Sequence, residues 1–262
     1  MVVIIRDFIS ITNIISECFE GPLTSGGVFF AQQSVHLKIA LSVAYKISCG
    51  GKQMPKAKDV EEFIARQRAG IAQNPECGTT RYNLAVGLMG QKKYDAAEKE
   101  LYEALECSPS LAEAYVLLGG ICLQRGDLDG CLKHNKMAVK VRPGFSEGFG
   151  NIGFVELQRG NLDEAIKNLE RATAFNFRFV QAFANLGNAY LMKGKLDESI
   201  ENSLKAIKLQ PDFAPAHNNL AIAYLEKQDY HQAAQHCDKA VELGYEVAEE
   251  IQSEIYKHRE PE

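Results

Sequence analysis

Apolar and polar positions recur along most of this chain in a fixed order. Five stretches starting at Gly78, Ala112, Ser146, Val180 and Ala214 align at a spacing of 34 residues with no insertion. The seventh position of each is Leu84, Leu118, Ile152, Leu186 or Leu220, and the seventeenth is Tyr94, Leu128, Leu162, Leu196 or Tyr230. These supply the apolar bulk of two helices. Small residues hold the eighth position (Ala85, Gly119, Gly153, Gly187, Ala221), the twentieth (Ala97, Cys131, Ala165, Ser199, Ala233) and the twenty-seventh (Ala104, Ala138, Ala172, Ala206, Ala240). Small side chains there let two helix backbones approach closely. Gly126-Asp127, Gly160-Asn161, Gly194-Lys195 and Gln228-Asp229 suit a tight turn between the helices, and Pro109, Pro143 and Pro211 punctuate the junctions between repeats. Asp95, Asp129, Asp163 and Asp197 fall in the first turn of each second helix, where exposed amides favour negative charge; His231 breaks the series. A period of this kind predicts stacked units, each burying its apolar face against its neighbours.

The pattern resembles the tetratricopeptide repeat (TPR) family over residues 78–247. It departs from that family at the fourth position, where Arg81, Tyr115, Phe149, Phe183 and His217 replace Trp, and where Phe177 and Tyr245 replace the terminal Pro. The resemblance implies an all-α fold: a right-handed superhelical solenoid of stacked antiparallel helix pairs, with repeats at 78–111, 112–145, 146–179, 180–213 and 214–247. It also implies a concave groove that binds peptides or partner proteins, and it carries no implication of catalysis.

Residues 54–77 read as a degenerate repeat or N-terminal cap, with a helix over Asp59–Gln73 whose apolar members are Phe63, Ile64, Ala65 and Ile71. At the other end, Val247, Ala248, Ile251 and Ile255 fall at helical spacing against a polar face, so 248–262 reads as a capping helix with a frayed tail. Residues 1–53 have no repeat phase. Arg6 and Asp7, then Gln32, Gln33, His36 and Lys38, interrupt the apolar runs that a signal peptide or anchor needs. A lipoprotein signal at Cys49 would carry Lys46 where an aliphatic residue is wanted. The favoured reading is that 1–53 is not translated, or is disordered, and that the true start is Met54: in a bacterial source, Gly50 to Gln53 can be encoded by a purine-rich stretch that serves as a ribosome-binding sequence.

A net charge of −5 without a basic stripe gives nucleic acid no footprint, and no membrane partner is expected. The seven cysteines contain no Cys-x-x-Cys pair and their odd number argues against a closed disulfide framework. Cys107, Cys122, Cys131 and Cys237 are expected inside as small hydrophobes, with Cys77 the exposed thiol, a usage that suits a reducing cytoplasm. His231 and His236 are five residues apart and do not share a helical face, while His134 and His217 fall in separate repeats, so no metal site is expected. No nucleophile–base signature, phosphate loop or dinucleotide fingerprint appears. The expectation is a non-enzymatic chain with no cofactor and no catalytic residue.

The groove of the TPR family is lined from the first helix of each repeat, and the resemblance carries this lining to named positions here. The sixth position is Asn83, Leu117, Asn151, Asn185 and Asn219. A row of primary amides, each donor and acceptor, can pair with the backbone of an extended peptide. The competing reading is that these amides bond within or between helices. Val86, Val116, Phe154 and Ile222 supply apolar contacts and Asn188 a further amide, while Leu123, Leu157, Leu191 and Leu225 read as packing. Asn188 and Asn219 match the paired Asn of the two-carboxylate clamp, but Ala184 and Pro215 stand at positions a clamp fills with bases, so an acidic C-terminal tail is not the expected groove ligand. Asn135 and Glu156 replace bulky residues at one inter-repeat seam; either they pair or one of them reaches solvent. The function expected is an adaptor binding an extended segment of a partner protein. The rivals are a self-assembling scaffold, and thus a homo-oligomer, or a regulatory fragment of a larger enzyme such as a TPR-bearing glycosyltransferase.

Overall fold

The computed structural model describes residues 57–258, and among them every regular element is an α-helix. The readings of residues 1–53, the start at Met54 and the last four residues lie outside the described residues. The chain divides into two compact units, the first ending at Val141 and the second beginning at Arg142. The first contains α1 (Ala57–Gln73), α2 (Gly78–Gly90), α3 (Tyr94–Cys107), α4 (Ala112–Gln124) and α5 (Leu128–Val141). The second contains α6 (Ser146–Gln158), α7 (Leu162–Phe175), α8 (Val180–Met192), α9 (Leu196–Leu209), α10 (Ala214–Glu226), α11 (Tyr230–Glu242) and α12 (Glu249–Lys257). The first helix of each pair begins at the first position of its 34-residue stretch and the second at the seventeenth, so the apolar period and the backbone share one phase.

The same turn closes the first helix of each pair. After α10 the Asp229 N–H donates to Tyr224 O and the Gln228 N–H to Leu225 O, both at 2.9 Å, and the bonds recur after α4, α6 and α8. This arrangement satisfies two terminal carbonyls but requires one residue in the left-handed region. Glycine fills it at Gly126, Gly160 and Gly194 with φ of 73–75°, whereas Lys92 and Gln228 adopt it at 58° and 61°.

Each pair is closed by a small residue facing the second helix. A Cβ built on Gly153 would stand 2.6 Å from Leu169 Cγ, and one on Gly187 2.4 Å from Ser203 Oγ. The alanines at the twenty-seventh position are wholly buried. Successive pairs are fastened at their solvent edge by bases just beyond the first helices: Arg125 reaches Asp95 at 2.7 Å in the first unit, Lys227 reaches Asp197 at 2.6 Å in the second, and Lys193 pairs with Asp163. The acids read from sequence as complements to a helix terminus therefore also hold the following repeat. Deeper in, the Phe179 ring abuts Gly150, where a Cβ would be 2.7 Å away.

At the start, α1 packs Ile64 and Phe63 onto Gly87 of α2, with Ile64 buried. Ala65 is exposed, contrary to its expected apolar role, and Gln67 is buried instead, because the contact stripe follows Val60, Ile64, Gln67 and Ile71 around the helix. At the other end, α12 buries Ile255 against the core of α11, and the Tyr256 hydroxyl donates to Asp238 Oδ1 at 2.6 Å. Burial and that carboxylate push the phenol up to about 12.

Candidate functional site

In the second unit α8 packs against both α6 and α10, so Asn151, Asn185 and Asn219, at the sixth position of each, fall on neighbouring first helices. Their surroundings differ. Asn219 is buried and its Nδ2 donates to Ala184 O at 2.9 Å, joining α10 to α8. Asn185 is buried and its Oδ1 accepts from Gln181 Nε2 at 3.0 Å, while Gln181 Oε1 is buried with no hydrogen-bond partner. Asn151 is half-buried, as are Asn188 and Ile222, whereas Phe154 is buried. In the first unit Asn83 and Val86 are buried and Val116 is half-buried. Side chains at the same repeat position thus differ in burial: Asn83, Asn185 and Asn219 are buried and Asn151 is half-buried. Leu123 and Leu157 are buried and Leu191 and Leu225 half-buried, in keeping with a packing role.

Neither Asn135 nor Glu156 reaches solvent. Asn135 Nδ2 donates to Cys131 O at 2.8 Å beneath Gly119, and Glu156 accepts from Asn161 Nδ2 at 2.8 Å.

Sequence reasoning missed a histidine pair. His217 Nδ1 and His236 Nδ1 are 3.0 Å apart, and His217 Nε2 is 2.9 Å from Pro211 O. A carbonyl only accepts, so His217 carries its proton on Nε2 and takes a second bond from His236 Nδ1–H. Burial, then the neighbouring His217, lower His236 to about 4, and the Tyr224 ring stacks on it at 5.8 Å. The signal was available: Arg81 and Glu100, at the same two repeat positions, also meet, at 3.2 Å. Among the described residues no group of three or more His, Cys, Asp or Glu could hold a metal ion.

Cys122, Cys131 and Cys237 are buried, but Cys107 is exposed and Cys77 only half-buried. Cys107 is the last residue of α3, where no further helical turn covers it. The Thr80 hydroxyl donates to Cys77 Sγ at 3.0 Å, and this bond with the Thr80 amide holds that thiol below its ordinary value. No helix among the described residues is long and apolar enough to cross a membrane.

Family comparisons agree with this geometry. Models described as tetratricopeptide repeat match residues 60–112, 82–139 and 214–243, and one described as TPR repeat matches 153–194 and 187–228. The chain belongs to the tetratricopeptide repeat family. A TPR repeat-containing thioredoxin of Arabidopsis thaliana, TTL4, is 30% identical over 94 residues, which are 36% of this chain and 14% of that protein. The match spans about a seventh of that relative's length. Among solved structures, YrrB, described as a TPR protein with an unusual peptide-binding site, superposes with a TM-score of 0.58 at 21% identity, covering 73% of this chain and 97% of YrrB. Pseudomonas aeruginosa PilF gives 0.68 at 15%, covering 87% and 99%, and a MamA structure 0.54 at 24%, covering 62% and 94%. At these identities the structures speak for the fold: all-α, with consecutive helix pairs packed as in TPR solenoids. Proteins of this fold bind protein partners and are generally non-catalytic.

Proposed function

We propose that this chain is a cytoplasmic, non-enzymatic adaptor that receives an extended segment of a partner protein along the first helices of its repeats. Five repeats do the binding in this reading, with 54–77 and 248–262 as caps. The observation that carries it is the run of amides on α6, α8 and α10, of which Asn151 and Asn188 are half-exposed, as is Ile222 of α10. In the second unit Asn151, Asn188 and Ile222 touch the ligand and Phe154, Asn185 and Asn219 shape the wall behind them; in the first unit, taken by itself, Val116 has the exposed role and Asn83 and Val86 the buried one. Amides read a peptide backbone irrespective of its side chains, while Ile222 and Val116 favour an apolar residue between backbone contacts. The peptide-binding site named for YrrB is a precedent on the same fold.

The test is affinity capture from lysate with the parent chain and with an Asn151→Ala, Asn188→Ala double variant of unchanged helicity. A partner held by the parent and lost by the variant supports the reading. Equal recovery from both sinks it. Capture of only its own chain, with a sedimentation coefficient that rises with concentration, would instead indicate a self-assembling scaffold.

A further inference from the structure

The junction between the third and fourth repeats differs from the other junctions between repeats. Where Pro109, Pro143 and Pro211 stand elsewhere, residue 177 is Phe, and it is 76% exposed, more than any other large hydrophobic residue described. Its turn is tied down: Asn176 Oδ1 accepts from the Arg178 N–H at 3.0 Å and Asn176 O from the Phe179 N–H at 3.1 Å. Asn176 sits at φ −137°, ψ 91°, close to the φ −142°, ψ 97° of Gln210 before Pro211. Proline would therefore fit residue 177, and the fold itself does not ask for an aromatic ring there.

The surroundings extend this ring into a surface. Phe175 is 53% exposed, rests on Gly144 and stacks on Phe149 with centroids 5.7 Å apart. The Arg171 guanidinium lies over that same Phe149 ring, 4.0 Å from its centroid, which holds the head group in place while its N–H edges remain available. Arg178 is exposed beside Phe177. Lys167, Lys193, Lys195, Lys205 and Lys227 in this unit each pair with a carboxylate, but Arg171 and Arg178 form no ion pair among the described residues. Two un-neutralised guanidinium groups around two exposed rings stand out on a chain of net charge −5.

We propose that Phe175, Phe177, Arg171 and Arg178 form a second docking surface, separate from the first-helix face, that takes an acidic segment of a partner protein carrying an apolar anchor residue. Charge complementarity selects the acidic segment, because each guanidinium can take a carboxylate through two parallel hydrogen bonds. The exposed rings supply the apolar centre, and Arg with aromatic residues is the composition that dominates binding at interface cores.

The probe is a short fluorescein-labelled peptide with one Phe flanked by Asp and Glu, titrated by anisotropy against the full chain. A peptide with Lys replacing every acid is the control. Measured in the Asn151→Ala, Asn188→Ala background, which removes the amides of the first-helix face, binding of the acidic probe weakened about 10-fold or more by Phe177→Pro and again by Arg171→Glu with Arg178→Glu is the expected result. The proline variant matches three other junctions of this chain, so its fold should persist, as circular dichroism will report. Failure of the acidic probe to bind, equal binding of the Lys peptide, or affinity indifferent to Phe177→Pro would each overturn the proposal. So would a dimer of the parent chain dispersed by the Arg variants, since that would make a second copy the occupant.

Discussion

The side-chain amide of Asn219 donates to the backbone carbonyl of Ala184, 35 residues earlier, across the α8–α10 contact. Asn219→Ala removes this inter-repeat bond within a buried site. It should cost about 1–2 kcal/mol in urea unfolding, whereas Asn188→Ala, half-exposed on the same face, should cost under about 0.5 kcal/mol. Equal losses in the two variants would show that position six and position nine share one role.

Glycine at the eighth position is replaceable to different degrees. The Cβ of Gly153→Ala would meet the branch carbon of Leu169 and, at 3.1 Å, the Ala165 carbonyl, neither of which can swing away. The expected loss is about 2–3 kcal/mol. Gly187→Ala also meets a carbonyl, that of Ser199 at 3.2 Å, but its closest contact is the terminal hydroxyl of Ser203, which can rotate, so a smaller cost of roughly 1 kcal/mol is expected. Thermal melts of the two variants give the ranking directly, and a reversed order contradicts the packing described.

Gln228 holds the left-handed turn that Gly126, Gly160 and Gly194 occupy elsewhere. Gln228→Gly should raise stability by about 1 kcal/mol, because the strain of a Cβ in that region exceeds the extra chain entropy of glycine. Lys92→Gly should behave alike. A lower melting temperature in both would mean that the side chains contribute more than the backbone strain costs.

The histidine pair ties stability to acid. The unfolded His236 imidazole takes a proton near its ordinary 6.5, while the folded one refuses it until about 4. The contribution is complete above pH 6.5 and is lost as pH falls through 4, at most about 3 kcal/mol across that window. His236→Asn, which places there the residue found at Asn168 and Asn202, keeps a donor for His217 and should flatten the melting temperature between those pH values. An unaltered profile would assign the acid response to other groups.

The helix pairs were legible because sequence and packing share one phase: the small eighth position faces the twenty-fourth of the second helix, with Asn135 against Gly119, Leu169 against Gly153 and Ser203 against Gly187. Burial of a given amide was not legible in that way. Asn185 and Asn219 occupy one repeat position with Asn151, yet the depth of each and the partner it meets depend on the neighbour offered, Gln181 for Asn185 and Ala184 O for Asn219. Cys107 was misjudged for a similar reason, since its position lies at a helix end whose cover depends on the turn beyond it. His217 with His236 was missed by weighing spacing along one helix, when the contact runs between two.

The bases at Arg125, Lys193 and Lys227 and the acids at Asp95, Asp163 and Asp197 have a consequence for how such a chain can change in length. Repeats that contribute a base to the preceding copy carry, a few residues on, an acid suited to the following one. A tandem duplication therefore arrives already compatible with both of its new neighbours, and a deletion of one whole unit leaves matching ends. Gain or loss of 34 residues in phase should be tolerated by this chain far better than gain or loss of one.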